Sequence, residues 1–152
     1  MINVALFKPD IPQNTAAIIR LCACFNINLH IIEPCGFNFN DSRFKRVVMD
    51  YKKMCKIKFH ENFEEFVNHN SKSRIILMTT KAKKKYYEFP FRINDIILLG
   101  RESAGVTSVI HKKLKDKIRI PMNKKTRSLN VVTSTAIVLS EALRQNNFEK
   151  LC

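Results

Sequence analysis

The chain has 152 residues, with 27 basic against 13 acidic side chains and a formal net charge of +14 at pH 7. That length suits one compact domain, 1–152, which buries about two-thirds of its unfolded surface. The longest apolar runs, Ile96–Leu99 and Val131–Leu139, fall far short of the roughly 20 residues of a membrane span, and Met1 opens straight into a strand-like segment. No membrane partner and a cytoplasmic location are expected.

In chain order, Ile2–Phe7 reads as a short apolar strand closed by the proline-bearing loop Lys8–Pro12. Asn14 is placed to cap the following helix, in which Ile18, Leu21, Cys22 and Phe25 recur as one stripe and Ile19 and Ala23 as another. Leu29–Ile32 is the next strand. Asn40-Asp41-Ser42 then supplies caps for a helix with Phe44, Val47, Val48 and Tyr51 on one side. Ile57–Phe59 leads into a helix over Asn62–Asn70, and Arg74–Thr79 is a strong strand. Ile93–Leu99, a helix over Ser108–Leu114, a brief strand at Ile118–Pro121 and a last helix over Asn130–Gln145 complete the pattern. In that last helix Val132, Ala136, Leu139 and Leu143 share one side. Strands alternating with helices predict an α/β fold, a parallel sheet covered on both faces.

The cysteines, Cys22, Cys24, Cys35, Cys55 and Cys152, are odd in number and lie mostly in apolar contexts, as reduced thiols do. Cys22 and Cys24 are too close for a zinc-type pair, and His30, His60, His69 and His111 are scattered, so no metal site is expected. The basic balance points to a phosphate-rich partner. A chain crowded with Lys, Asn and Ile can also arise from A+T-rich codons, so the placement of charge says more than its total.

In open α/β sheets, ligands bind beyond the carboxyl ends of the strands. The first such loop, Lys8–Gln13, holds no glycine, which excludes the glycine-rich dinucleotide turn. Gly100 and Gly105, two of only three glycines, bracket the loop after the most apolar strand, with the acceptor Glu102 between them. Alone, this loop reads as an ordinary strand-to-helix turn. Arg119-Ile120-Pro121-Met122 and Arg127-Ser128-Leu129-Asn130 follow at the next strand end and helix start. Arg20 stands in an otherwise apolar helical stretch, which calls for an anionic partner. For RNA contact the candidates are Arg43, Lys45 and Arg46, and Lys81, Lys83, Lys84 and Lys85 beside Tyr86 and Tyr87.

These C-terminal blocks resemble the cofactor motifs of the SPOUT superfamily of RNA methyltransferases. Ile11-Pro12-Gln13-Asn14-Thr15, Ile18–Cys22, Ile31–Phe37, Asp50-Tyr51 and Thr79-Thr80-Lys81 extend the resemblance over essentially the whole chain, to the small tRNA (cytidine/uridine-34) 2'-O-methyltransferases. The resemblance implies a C-terminal trefoil knot, S-adenosylmethionine as cofactor, tRNA as partner and a homodimer whose acceptor site draws on both subunits. It implies methylation of the wobble ribose, C34 or U34, of leucine tRNAs. Met78, Gly100, Glu102, Ile120, Ser128 and Asn130 would bind the cofactor. Asn14 and Arg20 would serve catalysis near the acceptor ribose. Arg43, Arg46, Lys81, Lys83 and Lys84 would meet RNA. Ala16 and Ala82 replace glycines usual in the family, Val131-Val132-Thr133 follows Asn130 where a serine is usual, and Ser140 replaces a frequent tyrosine. A 2'-O-methyltransferase for another tRNA or rRNA position, and a non-catalytic RNA-binding relative, are the alternatives.

Overall fold

The computed structural model describes residues 1–48, 50–148 and 151. Six strands, β1 (Asn3–Phe7), β2 (Leu29–Ile32), β3 (Ile57–His60), β4 (Ile75–Met78), β5 (Ile96–Leu99) and β6 (Asp116–Ile118), form one sheet in the order β3-β2-β1-β5-β4-β6. Every pairing between them is parallel. The helices are α1 (Pro12–Cys24), α2 (Ser42–Val48), α3 (Tyr51–Met54), α4 (Phe63–His69), α5 (Ser108–Lys113) and α6 (Val131–Gln145), with a 3-10 turn at Tyr86–Glu88.

β2 and β5 are buried at every position, as strands covered on both faces must be. Alternation along the strands divides the core. Val4, Leu6, Ile31, Ile97 and Leu99 face α1, α2 and α6, through Ile18, Phe44 and Leu139 among others. Ala5, Phe7, Ile32, Leu77 and Leu98 face Phe63 and Phe66 of α4 and Ile110 of α5. Sheet order reverses between β1 and β5, so the loops after these two strands diverge and leave a crevice at their carboxyl ends.

Several expected boundaries shift for local reasons. α1 starts at Pro12, with Ile11 as an extended N-cap and no side-chain cap, because proline suits the first turn of a helix, where no N–H is needed. Asn14 is therefore inside the helix and is not its cap. β5 begins at Ile96, since Asn94 takes a positive φ and Asp95 is turned inward to accept Arg74, leaving Ile93 exposed. The last strand is Asp116–Ile118, paired with β4, and not Ile118–Pro121. Beyond it Arg119 makes a single bridge to Lys85 before Pro121, which has no N–H to continue a ladder. In α6 the buried face runs through Thr135, Val138, Leu139, Ala142 and Leu143, rotated from the expected stripe. Val47 faces solvent, while Phe44 and Val48 are buried as expected.

Cys22, Cys24, Cys35 and Cys55 are free thiols. Burial pushes the Cys35 thiol up to about 12, which makes it a poor nucleophile. Cys152 lies outside the described residues. No helix among the described residues is long and apolar enough to cross a membrane.

Ile97 sits on a central strand with no exposure. Ile97→Ala is expected to destabilise the fold by about 2–5 kcal/mol, read from the urea unfolding midpoint at unchanged slope.

Candidate active site

Four loops meet at the carboxyl edge of the sheet, those that follow β1, β4, β5 and β6. They enclose a cavity of about 660 Å³. Met78, Gly100, Glu102, Ile120, Ser128 and Asn130, the six positions expected to bind a cofactor, all line it, and so does Asn14. Residues 78 to 130 thus converge with the start of α1, which no local sequence pattern specifies.

The loop after β5 is shaped by its glycines. A Cβ on Gly100 would stand 2.6 Å from the backbone of Gly105, so the missing side chain makes room for the loop to fold on itself. Gly105 takes φ +69°, and its N–H donates to the Arg101 carbonyl at 2.8 Å. Gly100 thus permits close main-chain packing within the loop.

A reciprocal pair of hydrogen bonds ties this loop to the one after β1. The Asp10 N–H donates to Glu102 Oε2 at 3.0 Å, and the Glu102 N–H donates to Asp10 Oδ1 at 3.1 Å. Arg101 donates to Asp10 Oδ2 at 3.1 Å, and the Ser103 hydroxyl donates to the same oxygen. From Glu102 the network continues outward. Asn14 Nδ2 donates to Glu102 Oε1 at 3.2 Å, Asn130 Nδ2 donates to Asn14 Oδ1 at 3.2 Å, and Asn130 Oδ1 caps α6 by accepting from the Val132 N–H at 2.7 Å. Three segments distant in sequence, around Asp10–Asn14, Arg101–Ser103 and Asn130–Val132, are thereby held in one polar chain.

The two carboxyl groups are driven apart in acidity. Contact with the Glu102 carboxyl, together with the donors Ser103 and Arg101, holds Asp10 well below the usual carboxylate range. Burial first, and the neighbouring Asp10 second, raise Glu102. Asp10 stays ionised and Glu102 is the easier of the two to protonate.

Arg20 is not brought into this cavity. It lies six residues beyond Asn14, about 9 Å further along α1 at 1.5 Å per residue. Its guanidinium is exposed and stacks over the Tyr51 ring at 4.8 Å. Among the described residues it has no ion-pair partner, and a cation–π contact stands where an anionic group was expected. Arg43, Arg46, Lys81, Lys83 and Lys84 are all exposed. Arg43 is paired with Asp41 at 3.1 Å, Lys84 lies 5.3 Å from the Phe89 ring, and Lys81 reaches the cavity wall.

Sequence reasoning missed Asp10 and His111. Asp10 is the only acidic residue before Glu33, a signal present in the sequence. His111 lines the cavity, and its Nε2 is buried without a hydrogen-bond partner. Nothing in its neighbours pointed to that. Of the replacements, Ala16 and Ala82 are buried, so small side chains fit both places, and Ser134 puts a hydroxyl-bearing residue in the cavity wall. His60 and His69, two of the four histidines read as scattered, gather with Glu65 elsewhere on the molecule, their ligand atoms within 4.8 Å of one another.

The profile of the SpoU rRNA methylase family matches residues 1–140. The chain belongs to that family. A tRNA (cytidine(34)-2'-O)-methyltransferase of Beijerinckia indica is 44% identical over 144 residues, covering 93% of this chain and 90% of the relative. A solved structure described as giving structural insights into the 2-OH methylation of C/U34 on tRNA superposes with a TM-score of 0.92 at 30% identity, covering 97% of each chain. A SpoU methyltransferase from Streptomyces viridochromogenes, in complex with the cofactor AdoMet, shares the fold with a TM-score of 0.86 at 19% identity, over 95% of this chain and 60% of that one.

The carboxyl pair sets a pH dependence. Because the Asp10 pKa is lowered on folding, its contribution is present above the unfolded value of about 4 and is lost as the pH falls through the folded value. Asp10→Asn is expected to cost about 1–3 kcal/mol at pH 7 and progressively less below about pH 4, as urea melts of both proteins across that range would show.

Proposed function

We propose that this protein methylates the ribose 2'-oxygen of nucleotide 34, C or U, in the anticodon loop of tRNA, with S-adenosylmethionine as methyl donor. The observation that carries this reading is the convergence of Met78, Gly100, Glu102, Ile120, Ser128 and Asn130, with Asn14, on one cavity at the reversal point of the sheet. Membership of the family and the names of full-length relatives support it.

The cavity suits the donor. Its volume falls within the roughly 300–1,000 Å³ of small-ligand pockets. Glu102 offers a carboxyl group to a cationic ligand in an otherwise basic chain, and the unpartnered His111 Nε2 leaves polar capacity in the wall. Gly100 and Ile120 would hold the donor through their backbones, Met78 on the adenosine side and Ser128 along the pocket. When bound, S-adenosylmethionine supplies a sulfonium methyl that passes to the 2'-oxygen as its bond to sulfur breaks and the hydroxyl proton is released. Asn14 and Asn130 keep Glu102 and the entrance to α6 in place while the acceptor approaches in line.

Arg20 stands outside the cavity of its own chain, so we assign it to the site of a second copy in a homodimer. There its fixed positive charge would grip RNA phosphate and stabilise the developing alkoxide; a guanidinium with a pKa above about 12 does not accept the proton. Lys81, Lys83, Lys84, Arg43 and Arg46 would carry the tRNA backbone, and the charge of +14 favours that partner. The reading extends to a single domain over 1–152, to action in the cytoplasm and to leucine tRNAs as acceptors. It includes a trefoil knot in the segment after β6, supported by the return of the chain from the edge strand to α6, which packs on α1 and β5.

Incubation with S-adenosylmethionine and tRNA is expected to place a 2'-O-methyl group at position 34; an unmodified position 34 would sink the reading. Arg20→Ala should lower turnover by about 10²-fold or more while leaving donor affinity within about twofold. Gly100→Ala should do the reverse, weakening donor binding by about tenfold or more in a calorimetric titration, because its Cβ displaces the loop.

A further inference from the structure

His60, at the end of the edge strand β3, and Glu65 and His69, one turn apart on α4, bring one ligand atom each to within 4.8 Å of one another. Their preparation for a ligand is uneven in a telling way. His60 is 1% exposed, its Nε2 lies 2.9 Å from His30 Nδ1, and its other nitrogen, Nδ1, is buried with no hydrogen-bond partner. Buried polar atoms are almost always paired, so an orphan imidazole nitrogen beside two further donors asks for a partner the protein does not contain. Glu65 Oε2 accepts from the Glu61 N–H, while Asn62 Oδ1, the helix N-cap, accepts from the Glu65 N–H at 2.9 Å. This leaves Oε1 3.6 Å from His69 Nδ1, and Nδ1 itself lies 3.1 Å from the Glu65 carbonyl, so with its N–H donated there Nε2 is the His69 nitrogen left for a ligand.

We propose that His60, Glu65 and His69 form a binding site for a divalent first-row transition-metal ion of the zinc type. Two imidazoles and a carboxylate are the borderline N,N,O donor set that Zn²⁺ accepts, at about 2.0–2.2 Å from each ligand. The ion would take the lone pair of His60 Nδ1. In that tautomer His60 Nε2 carries its proton and donates to His30, the outer-shell bond that orients a metal-bound histidine. His69 and Glu65 are partly exposed, so water completes the coordination. The site lies outside the cavity described above, and its effect is to clip β3, which has a ladder partner on one side only, to α4.

The test is titration of the chelator-treated full chain with Zn²⁺ alone, followed by calorimetry and by the thermal midpoint. One ion per chain and a raised midpoint are expected. His69→Ala and Glu65→Gln change partly exposed side chains, and circular dichroism would verify that both fold. Each should weaken the uptake by about tenfold or more, equivalent to about 1.4 kcal/mol. Co²⁺ in place of Zn²⁺ should give visible ligand-field bands without thiolate charge-transfer absorption, which separates this site from Cys24 and Cys35. Absence of uptake, uptake unchanged in both variants, or a thiolate signature would each overturn the proposal.

Discussion

The reciprocal hydrogen bonds between Asp10 and Glu102 are the constraint on which the site depends. Each residue offers its own N–H to the other's carboxylate, so neither loop can move without breaking both contacts. At about 0.5–1.5 kcal/mol net per hydrogen bond, more where a charge is involved, the lock is worth as much as a sizeable core substitution. It also uses the one place where the sheet leaves room. β1 and β5 are neighbours whose chain connections run in opposite directions, and the loops after them must be joined by side chains because no ladder continues there.

From that lock the rest of the cavity follows by contact. Glu102, fixed by Asp10, receives Asn14; Asn14 receives Asn130; and Asn130 starts α6. A cavity built this way is preorganised by long-range polar pairs in place of a glycine-rich turn. The acidic pair also concentrates negative character inside a molecule with a net charge of +14. Basic side chains on α2 and on the loop after β4 are exposed, and Lys81 among them borders the cavity.

Legibility differed from residue to residue. The four-residue strand Leu29–Ile32 was readable because its signal is local, a short apolar run. Ile93 and Ile120 misled because apolar character is not strand pairing. A turn at Asn94 excludes the first, and the second borders the core and the cavity beyond the end of β6. Asn14 was misread as a cap because a helix start can be specified by proline alone, which frees the asparagine for a tertiary bond. Arg20 was read correctly as unusual, yet its cation–π partner lies on α3, thirty-one positions away in a segment with no obvious link to it.

The sequence by itself determined the alternating α/β pattern, the two-sided burial of the sheet and the short blocks that line the cavity, since these rest on periodicity and on short runs of residues. Tertiary structure decided what those motifs do to one another. Only folding places Asp10 against Glu102, turns the gap at Gly100 toward Gly105, keeps Arg20 out of its own cavity and gathers His60 with Glu65 and His69. The physical reason is that backbone preference and burial act over a few residues. Carboxylate pairs, stacked cations and ligand clusters need groups that are not neighbours in sequence to meet within a few ångströms, and only the assembled sheet supplies that geometry.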